Sequence, residues 1–240
     1  SPTFTRWTGV TNGMRTKRMA EQVSQRLAAG GMQDEQAAAL GNQIAAAYAV
    51  KTEKAKVGVS DETNVLVYIA PKELDEIAAD LSAGRTPDEV AKEIQKKFKD
   101  RAAAPDIALF GRMLADAPIT AVDAAVQVAH AISTHRVDFE YDFFTAMDDL
   151  KPNDDPGAGM MGSIGYNSAC YYRYARLDWG KLVQNLDDAQ LAEGTARAFL
   201  QASLDANPTG MQNSHDNQTP PALALAVVRQ HGGGWSLVNA

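Results

Sequence analysis

The spacing at which apolar residues recur changes once along the chain, and that change constrains the fold more than any single motif. Up to Phe98 the period is helical. Met19, Val23 and Leu27 fall four apart within residues 14–29, and Gly30-Gly31 stop the run. An alanine-rich, weakly amphipathic segment follows over residues 34–50. Pro71 suits the first position of a helix whose stripe is Leu74, Ile77, Ala78 and Leu81, and Gly84 ends it. Thr86-Pro87-Asp88-Glu89 has the form of a capping box ahead of the stripe Val90, Ile94 and Phe98. Only residues 65–69 read as a strand in this part, and residues 1–12 read as polar and turn-like.

After Arg101 strands enter. Residues 106–112 read as a strand. Val126, Val128, His130 and Ile132 alternate, and a strand over 126–134 is chosen although Val122, Val126 and Ala129 also suit a helix. Residues 151–162, rich in Gly, Pro, Asn and Asp, read as a loop. A strand over 166–177, helices over 179–186 and 189–205, and a strand over 222–228 complete the chain. Strand, helical crossover and strand fit one half of a split βαβ, ferredoxin-like sheet. The fold class is therefore α+β, with a mainly helical region at 1–103 that has a basic N-terminal edge, and a sheet-based region at 104–240.

With 240 residues, 45% of them apolar, the chain can bury a core as one large domain or as a core with an insertion. Its longest apolar stretches, such as residues 222–228, are far too short to span a bilayer, so no membrane is expected. Residues 1–9 lack the basic start and apolar run of a signal peptide. The one cysteine, Cys170, cannot form an internal disulfide, which fits a reducing cytoplasm. A net charge of −7 argues against simple nucleic-acid binding, because phosphate neutralisation supplies most non-specific affinity. Cations nevertheless cluster at Arg15, Lys17 and Arg18, and again at Lys92, Lys96, Lys97, Lys99 and Arg101. An acidic average can hide one basic groove.

Several motifs carry chemistry. Gly111-Arg112-Met113 sits at a predicted strand end, where glycine lets another backbone approach, and Met113 by itself reads as core filler. Phe143 and Phe144 are adjacent, so on a strand they point to opposite faces and at most one meets a one-sided core. The other needs a stacking partner such as a base, unless both rings pack within the hairpin. Asp148-Asp149 with Asp154-Asp155 would suggest a metal site only if the carboxylates converged from fixed positions. The second pair lies in a Pro/Gly loop with no histidine near it, so a solvated turn is the reading, with no catalytic residue, metal or cofactor. His130 and His135 are five apart and share no face; His130 reads as a satisfied core histidine. Cys170 reads as a small hydrophobe in a strand. Tyr171, Tyr172, Arg173, Tyr174 and Arg176 interleave rings with cations, as RNA-binding sheets do and as half-exposed strands also do.

Five segments in order, Ile107–Met113, Val122–His135, Asp142–Leu150, Gly157–Gly162 and Tyr171–Ala175, resemble the backbone subunit of the type I-E CRISPR surveillance complex, the CasC family of Cascade. The likeness is strong over roughly the middle third of the chain and weaker on the flanks. It implies a subunit that holds guide (CRISPR) RNA, does no chemistry of its own, and presents the guide for pairing with target DNA. It implies a ferredoxin-like (RRM-like) palm, a helical finger domain and a thumb β-hairpin at about 137–165. Phosphate contacts would come from Arg15, Lys17, Arg18 and Arg112. Met113 would push between bases, and Phe143, Phe144 and Thr145 would shape the bases and their kink. Met161, Gln212 and Asn213 complete the RNA-binding set that the resemblance carries. Copies would stack head to tail in a helical filament with other Cascade subunits, and a helicase-nuclease would be recruited indirectly.

The chain departs from the family in three places. The family's opening strand, its Asn-Arg-Asp turn and most of a basic glycine-containing segment have no counterpart, so the chain looks like an internal fragment. Arg15-Thr16-Lys17-Arg18 matches the trailing edge of that segment, and residues 236–240 are the last match. Met211 stands where the family tends to carry lysine. Two rival readings use the same residues: a metal-dependent enzyme in which Asp148 converges with His130 or His135, and a structural assembly module that self-associates without RNA.

Overall fold

The computed structural model describes residues 2–48, 52–53, 62–63, 65–113, 120–150, 159–216 and 218–238. In chain order its elements are α1 (Pro2–Thr8), β1 (Met14–Thr16), α2 (Met19–Ala29), α3 (Asp34–Tyr48), β2 (Thr52–Glu53), β3 (Glu62–Thr63) and β4 (Val67–Ile69). Next come α4 (Pro71–Ser82), α5 (Pro87–Lys97), α6 (Pro105–Phe110), β5 (Val126–Val128), β6 (Ile132–Ser133), β7 (Glu140–Ala146) and β8 (Met160–Tyr166). The chain ends with β9 (Tyr171–Tyr172), β10 (Ala175–Leu177), α7 (Trp179–Leu186), α8 (Ala189–Asp205) and α9 (Gln212–His215). No helix among the described residues is long and apolar enough to cross a membrane. The chain divides into two compact units, Ser1–Gln127 with Arg176–Gln230, and Val128–Ala175 with His231–Ala240. No unit boundary falls near residue 103.

The first unit is built on two apolar clusters. One joins Met19, Val23 and Leu27 of α2, Ile44 and Tyr48 of α3, Leu74, Ile77 and Leu81 of α4, and Val90 and Ile94 of α5. The residues of α2, α4 and α5 are the stripes that helical spacing predicts, Ile44 and Tyr48 of the alanine-rich α3 join them, and each large side chain so buried is worth about 1.5–3 kcal/mol. At the start of α5 the Thr86 amide and hydroxyl both donate to Glu89 Oε2, at 3.4 and 2.8 Å, closing the capping box. The second cluster joins Phe4, Ile107, Leu109, Leu182 and Phe199, from α1, α6, α7 and α8. Asp178 and Asp188 cap α7 and α8 by accepting the Lys181 and Leu191 amides. The Asn185 side chain donates to the Ala108 and Asp123 carbonyls at 2.9 and 2.8 Å, fastening α7 to the end of α6.

Four local expectations fail in this unit, each because a distant contact overrides the local pattern. Residues 2–8 form α1 rather than a turn, because Phe4 is buried in the second cluster. Residues 14–16 form β1 rather than the start of a helix, pairing antiparallel with β4 as Arg15 opposite Tyr68. Gly13 permits this: a Cβ there would lie 2.8 Å from the Tyr68 ring and 2.9 Å from Ile107. Residues 105–110 form α6 rather than a strand, since Ile107, Ala108 and Leu109 are all buried and an unbroken apolar run does not define a period. Residues 222–228 form no strand. Leu223, Leu225, Val227 and Val228 are exposed, and no ladder partner for them occurs among the described residues.

The described strands pair only two by two: β1 with β4, β2 with β3, β5 with β10, β6 with β9 and β7 with β8. The crossover expected of a ferredoxin-like sheet runs from β10 through α7 and α8, and no strand that would close it occurs among the described residues. The fold is a mixture of helices and strands, as α+β implies.

In the second unit, β7 and β8 form an antiparallel hairpin in register from Glu140 opposite Tyr166 to Ala146 opposite Met160. Met160, Met161 and Gly162, expected in a loop, are thus strand residues, and residues 151–158 lie outside the described set. The strands expected over 126–134 and 166–177 are each broken, with β5 separated from β6 and with β8, β9 and β10 distinct. Neither apolar cluster includes a residue of this unit.

Gly111, at the C-terminal end of α6, has φ of +79° and ψ of 169°, a region open almost only to glycine. A Cβ there would also stand 2.7 Å from the Val122 carbonyl oxygen. Gly84 has φ of +85° with nothing within 4 Å of a Cβ. Gly84→Ala should cost about 1 kcal/mol from the backbone alone, and Gly111→Ala clearly more. Equal losses of melting temperature in the two variants would show that the backbone contact at Gly111 is immaterial.

Candidate nucleic-acid interface

Arg112 is the best-anchored of the predicted contact residues, and it faces inward. Its backbone bridges Val122 in both directions, N–H to carbonyl at 2.9 Å and 2.8 Å. Its Nη1 donates to Glu73 Oε1 and Oε2 at 2.8 and 3.0 Å, and to the Tyr68 carbonyl at 3.4 Å, while Nε donates to the Thr120 carbonyl at 2.9 Å. The two charged side chains are 1% and 0% exposed. Burial pushes the Glu73 carboxyl above its ordinary range, opposed by the charge and hydrogen bonds of Arg112. Tyr48, buried beside Glu73, is likewise pushed up, first by burial and then by that carboxylate. So placed, Arg112 faces the interior: Nε and Nη1 are engaged within the fold, and Nη2 is buried without a hydrogen-bond partner among the described residues.

The next residue is the opposite extreme. Met113 is 88% exposed, which removes the reading of core filler.

Arg15 and Lys17 are exposed, on and just after β1. The Arg15 guanidinium lies 4.4 Å over the Tyr68 ring, and the Tyr68 hydroxyl donates to Asp106 Oδ2 at 2.7 Å. Asp106 Oδ1 accepts the Gly13 amide at 2.9 Å. Burial, and then the hydrogen bond to Asp106, push the Tyr68 hydroxyl up. Tyr68 thus meets Arg15 with its ring and Arg112 with its carbonyl. Arg18 is exposed but sits near Glu21 and Glu62, at 3.8 and 3.5 Å. Gln212 and Asn213 are exposed on α9. Of the second basic cluster, Lys97 pairs with Glu76 and Arg101 with Asp187.

On the hairpin, Thr145 stands opposite Met161, Phe144 opposite Gly162, and Phe143 opposite Ser163. Alternation puts Phe143, Thr145 and Met161 on one face and Phe144 on the other. The Phe144 ring covers Gly162, where a Cβ would come within 2.6 Å of it. Phe143 has no such cover and is 65% exposed, as is Met161 at 67%. Phe144, 36% exposed, lies against the hairpin backbone, and Phe143 faces water.

Sequence reasoning did not single out Tyr68, Glu73 or Asp106. The alternation of Val67 and Ile69 around Tyr68 was the available sign that its ring faces away from the first cluster; it packs half-buried against the second. Glu73 is a first-turn acid in α4 and carried no sign of its burial.

Other candidates are relocated. His130 is exposed and not a core histidine, and Cys170 is exposed between β8 and β9 rather than inside a strand; among the described residues neither apolar cluster extends into the second unit to receive them. Asp148 Oδ1 accepts the Leu150 amide at 3.0 Å, a solvated turn. Asp154 and Asp155 lie outside the described residues. Among the described residues no group of three His, Cys, Asp or Glu side chains is placed to hold a metal ion. In the ring-and-cation segment, the Tyr172 hydroxyl accepts the Leu237 amide at 2.9 Å and the Tyr171 hydroxyl donates to Asn167 at 3.1 Å.

No curated protein sequence matches the chain. Among solved structures, a chain of a CRISPR RNA-guided surveillance complex in a pre-nicking form is 33% identical, with a TM-score of 0.71 over 92% of this chain and 66% of that one. A chain of another CRISPR RNA-guided surveillance complex is 27% identical, with a TM-score of 0.56 over 87% of this chain and 61% of that one. The chain spans just under two thirds of the length of these relatives. The family model described as CT1975-like protein matches residues 4–240, so the chain belongs to the CT1975-like family, and its resemblance to the Cascade backbone subunit holds.

Proposed function

We propose that the chain is a non-catalytic backbone subunit that holds guide RNA in a type I-E Cascade surveillance complex. The observation that carries this reading is the β7–β8 hairpin, which displays Phe143, Met161 and Tyr141 to water with no apolar cluster among the described residues of its unit to receive them. Exposed aromatic and thioether surface on an ordered strand is a poor arrangement in water and a good one against the face of a base, since every base has a π-face. This hairpin takes the part of the thumb, and the helix-and-strand first unit takes the parts of finger and RRM-like palm. Membership in the CT1975-like family and the likeness to chains of RNA-guided complexes support the same reading.

The work divides by chemistry. Arg15 and Lys17 supply charge to phosphate, with Arg15 held in place by the Tyr68 ring. Phe143 and Met161 supply apolar surface to bases. Base pairing between guide and target DNA supplies specificity, so the protein reads shape and backbone. The acidic average of the chain fits a subunit whose other faces meet copies of itself, other Cascade subunits and, indirectly, a recruited helicase-nuclease.

The direct test is to purify the chain with its natural partners, extract any nucleic acid and size it. A discrete, ribonuclease-protected RNA of uniform length is expected. An assembly free of RNA would leave a structural module as the better reading. Within the assembled complex, Arg15→Ala with Lys17→Ala should weaken RNA binding and flatten its dependence on salt, because fewer counterions are released. An unchanged slope would remove both residues from the groove. Phe143→Ala should cost about 1–3 kcal/mol per stacked base, and Phe144→Ala less, because that ring already lies on Gly162. Equal losses in a filter-binding titration would contradict the division between the two faces.

A further inference from the structure

We infer that Glu73 and Arg112 are positioning residues that set the root from which Met113 meets nucleic acid; the inference rests on the guide-holding reading above. The contrast between neighbours is the starting point. Arg112 is 4% exposed and Met113 is 88% exposed, one peptide bond apart. The buried member of this pair is held from three segments of the chain: the Thr120 carbonyl takes Nε, the Glu73 carboxylate takes Nη1 from α4, and the Tyr68 carbonyl shares Nη1 from β4. The backbone of Arg112 is bonded to Val122 on both its donor and its acceptor side, and Gly111 behind it stands so close that a Cβ there would lie 2.7 Å from the Val122 carbonyl oxygen.

An apolar pair of similar volume would hold α4 to this segment without the desolvation of two charges, and often holds as well or better. What it could not do is aim. Nε and Nη1, the two guanidinium nitrogens with partners here, donate in fixed directions in one plane, and so define where the backbone of Arg112 stands and in which direction the chain leaves it. Met113 is the first residue to leave. Its flexible, polarisable side chain fills irregular gaps well, and a small displacement of its root would move the thioether off a base step. Rigid support of an exposed apolar contact is what a wedge between bases requires.

The test uses the assembled complex with its guide RNA and reads the dimethyl sulfate reactivity of each base. Met113→Ala identifies the bases whose reactivity depends on Met113. The double variant Glu73→Leu, Arg112→Met removes both charges together and keeps an apolar pair in their place. It is expected to assemble and to show the Met113→Ala pattern, with loss of protection at the same bases although Met113 is present. Assembly with the wild-type pattern would overturn the inference, since packing alone would then suffice. If the double variant does not assemble, Arg112→Lys decides: it keeps the charge but not the fork, and the same two patterns carry the same meanings. Failure of both variants to assemble would assign the network to the fold alone and overturn the inference. A wild-type pattern from Met113→Ala would overturn it too, while guide RNA recovered with that complex would leave the guide-holding reading intact.

Discussion

The ion pair of Arg112 with Glu73 is the interaction on which the first unit turns. It lies where α4, the end of β4, and the segment that follows α6 come together, and no water-facing alternative exists for either charge at 1% and 0% exposure. Removing one partner would strand the other in a low-dielectric interior at a cost of about 3–5 kcal/mol, a large part of the net stability of an ordinary domain. The pair therefore obliges the chain to bring these segments together in one arrangement. Tyr48 and the Thr120 and Tyr68 carbonyls complete the polar environment of the pair. The same obligation removes Arg112 from the surface and leaves Arg15 and Lys17 as exposed cations on the β1 side.

The second unit obeys a different logic. Its hairpin is held by a seven-residue register of antiparallel pairs and by two rings, Phe144 over Gly162 and Tyr141 over Gly165. Those ring-on-glycine contacts replace a core locally, and an isolated hairpin is at best marginal in water. Its remaining apolar side chains, Phe143, Met147, Met160 and Met161, are surface in this chain.

The helices between residues 19 and 98 were legible because their stripes satisfy local and tertiary requirements at once: Leu74, Ile77, Ala78 and Leu81 face the first cluster, and the Thr86–Glu89 box closes within four residues. The same holds for α7 and α8. Legibility ended where a remote partner decided the outcome. Residues 14–16 have a strand to pair with in β4, and Phe4 has a second cluster to enter; neither fact is written near those positions. Ile107 to Leu109 are apolar without interruption, so no period separated helix from strand. Residues 222–228 alternate as a strand should, yet a strand exists only as half of a pair.

Among the site residues, the placing of Phe143 and Phe144 on opposite faces followed from strand geometry alone, because neighbouring side chains on a strand point to opposite faces. Close backbone approach at Gly111 also followed from the residue type. Which ring would be covered, and whether Arg112 would face a phosphate or a carboxylate, did not. The sequence by itself determined the helical stripes, the caps and the chemical types available to a nucleic-acid interface. The tertiary structure decided which of those groups remain at the surface, because burial and partner choice depend on segments such as Glu73 and Arg112, thirty-nine positions apart, that meet only when the chain folds.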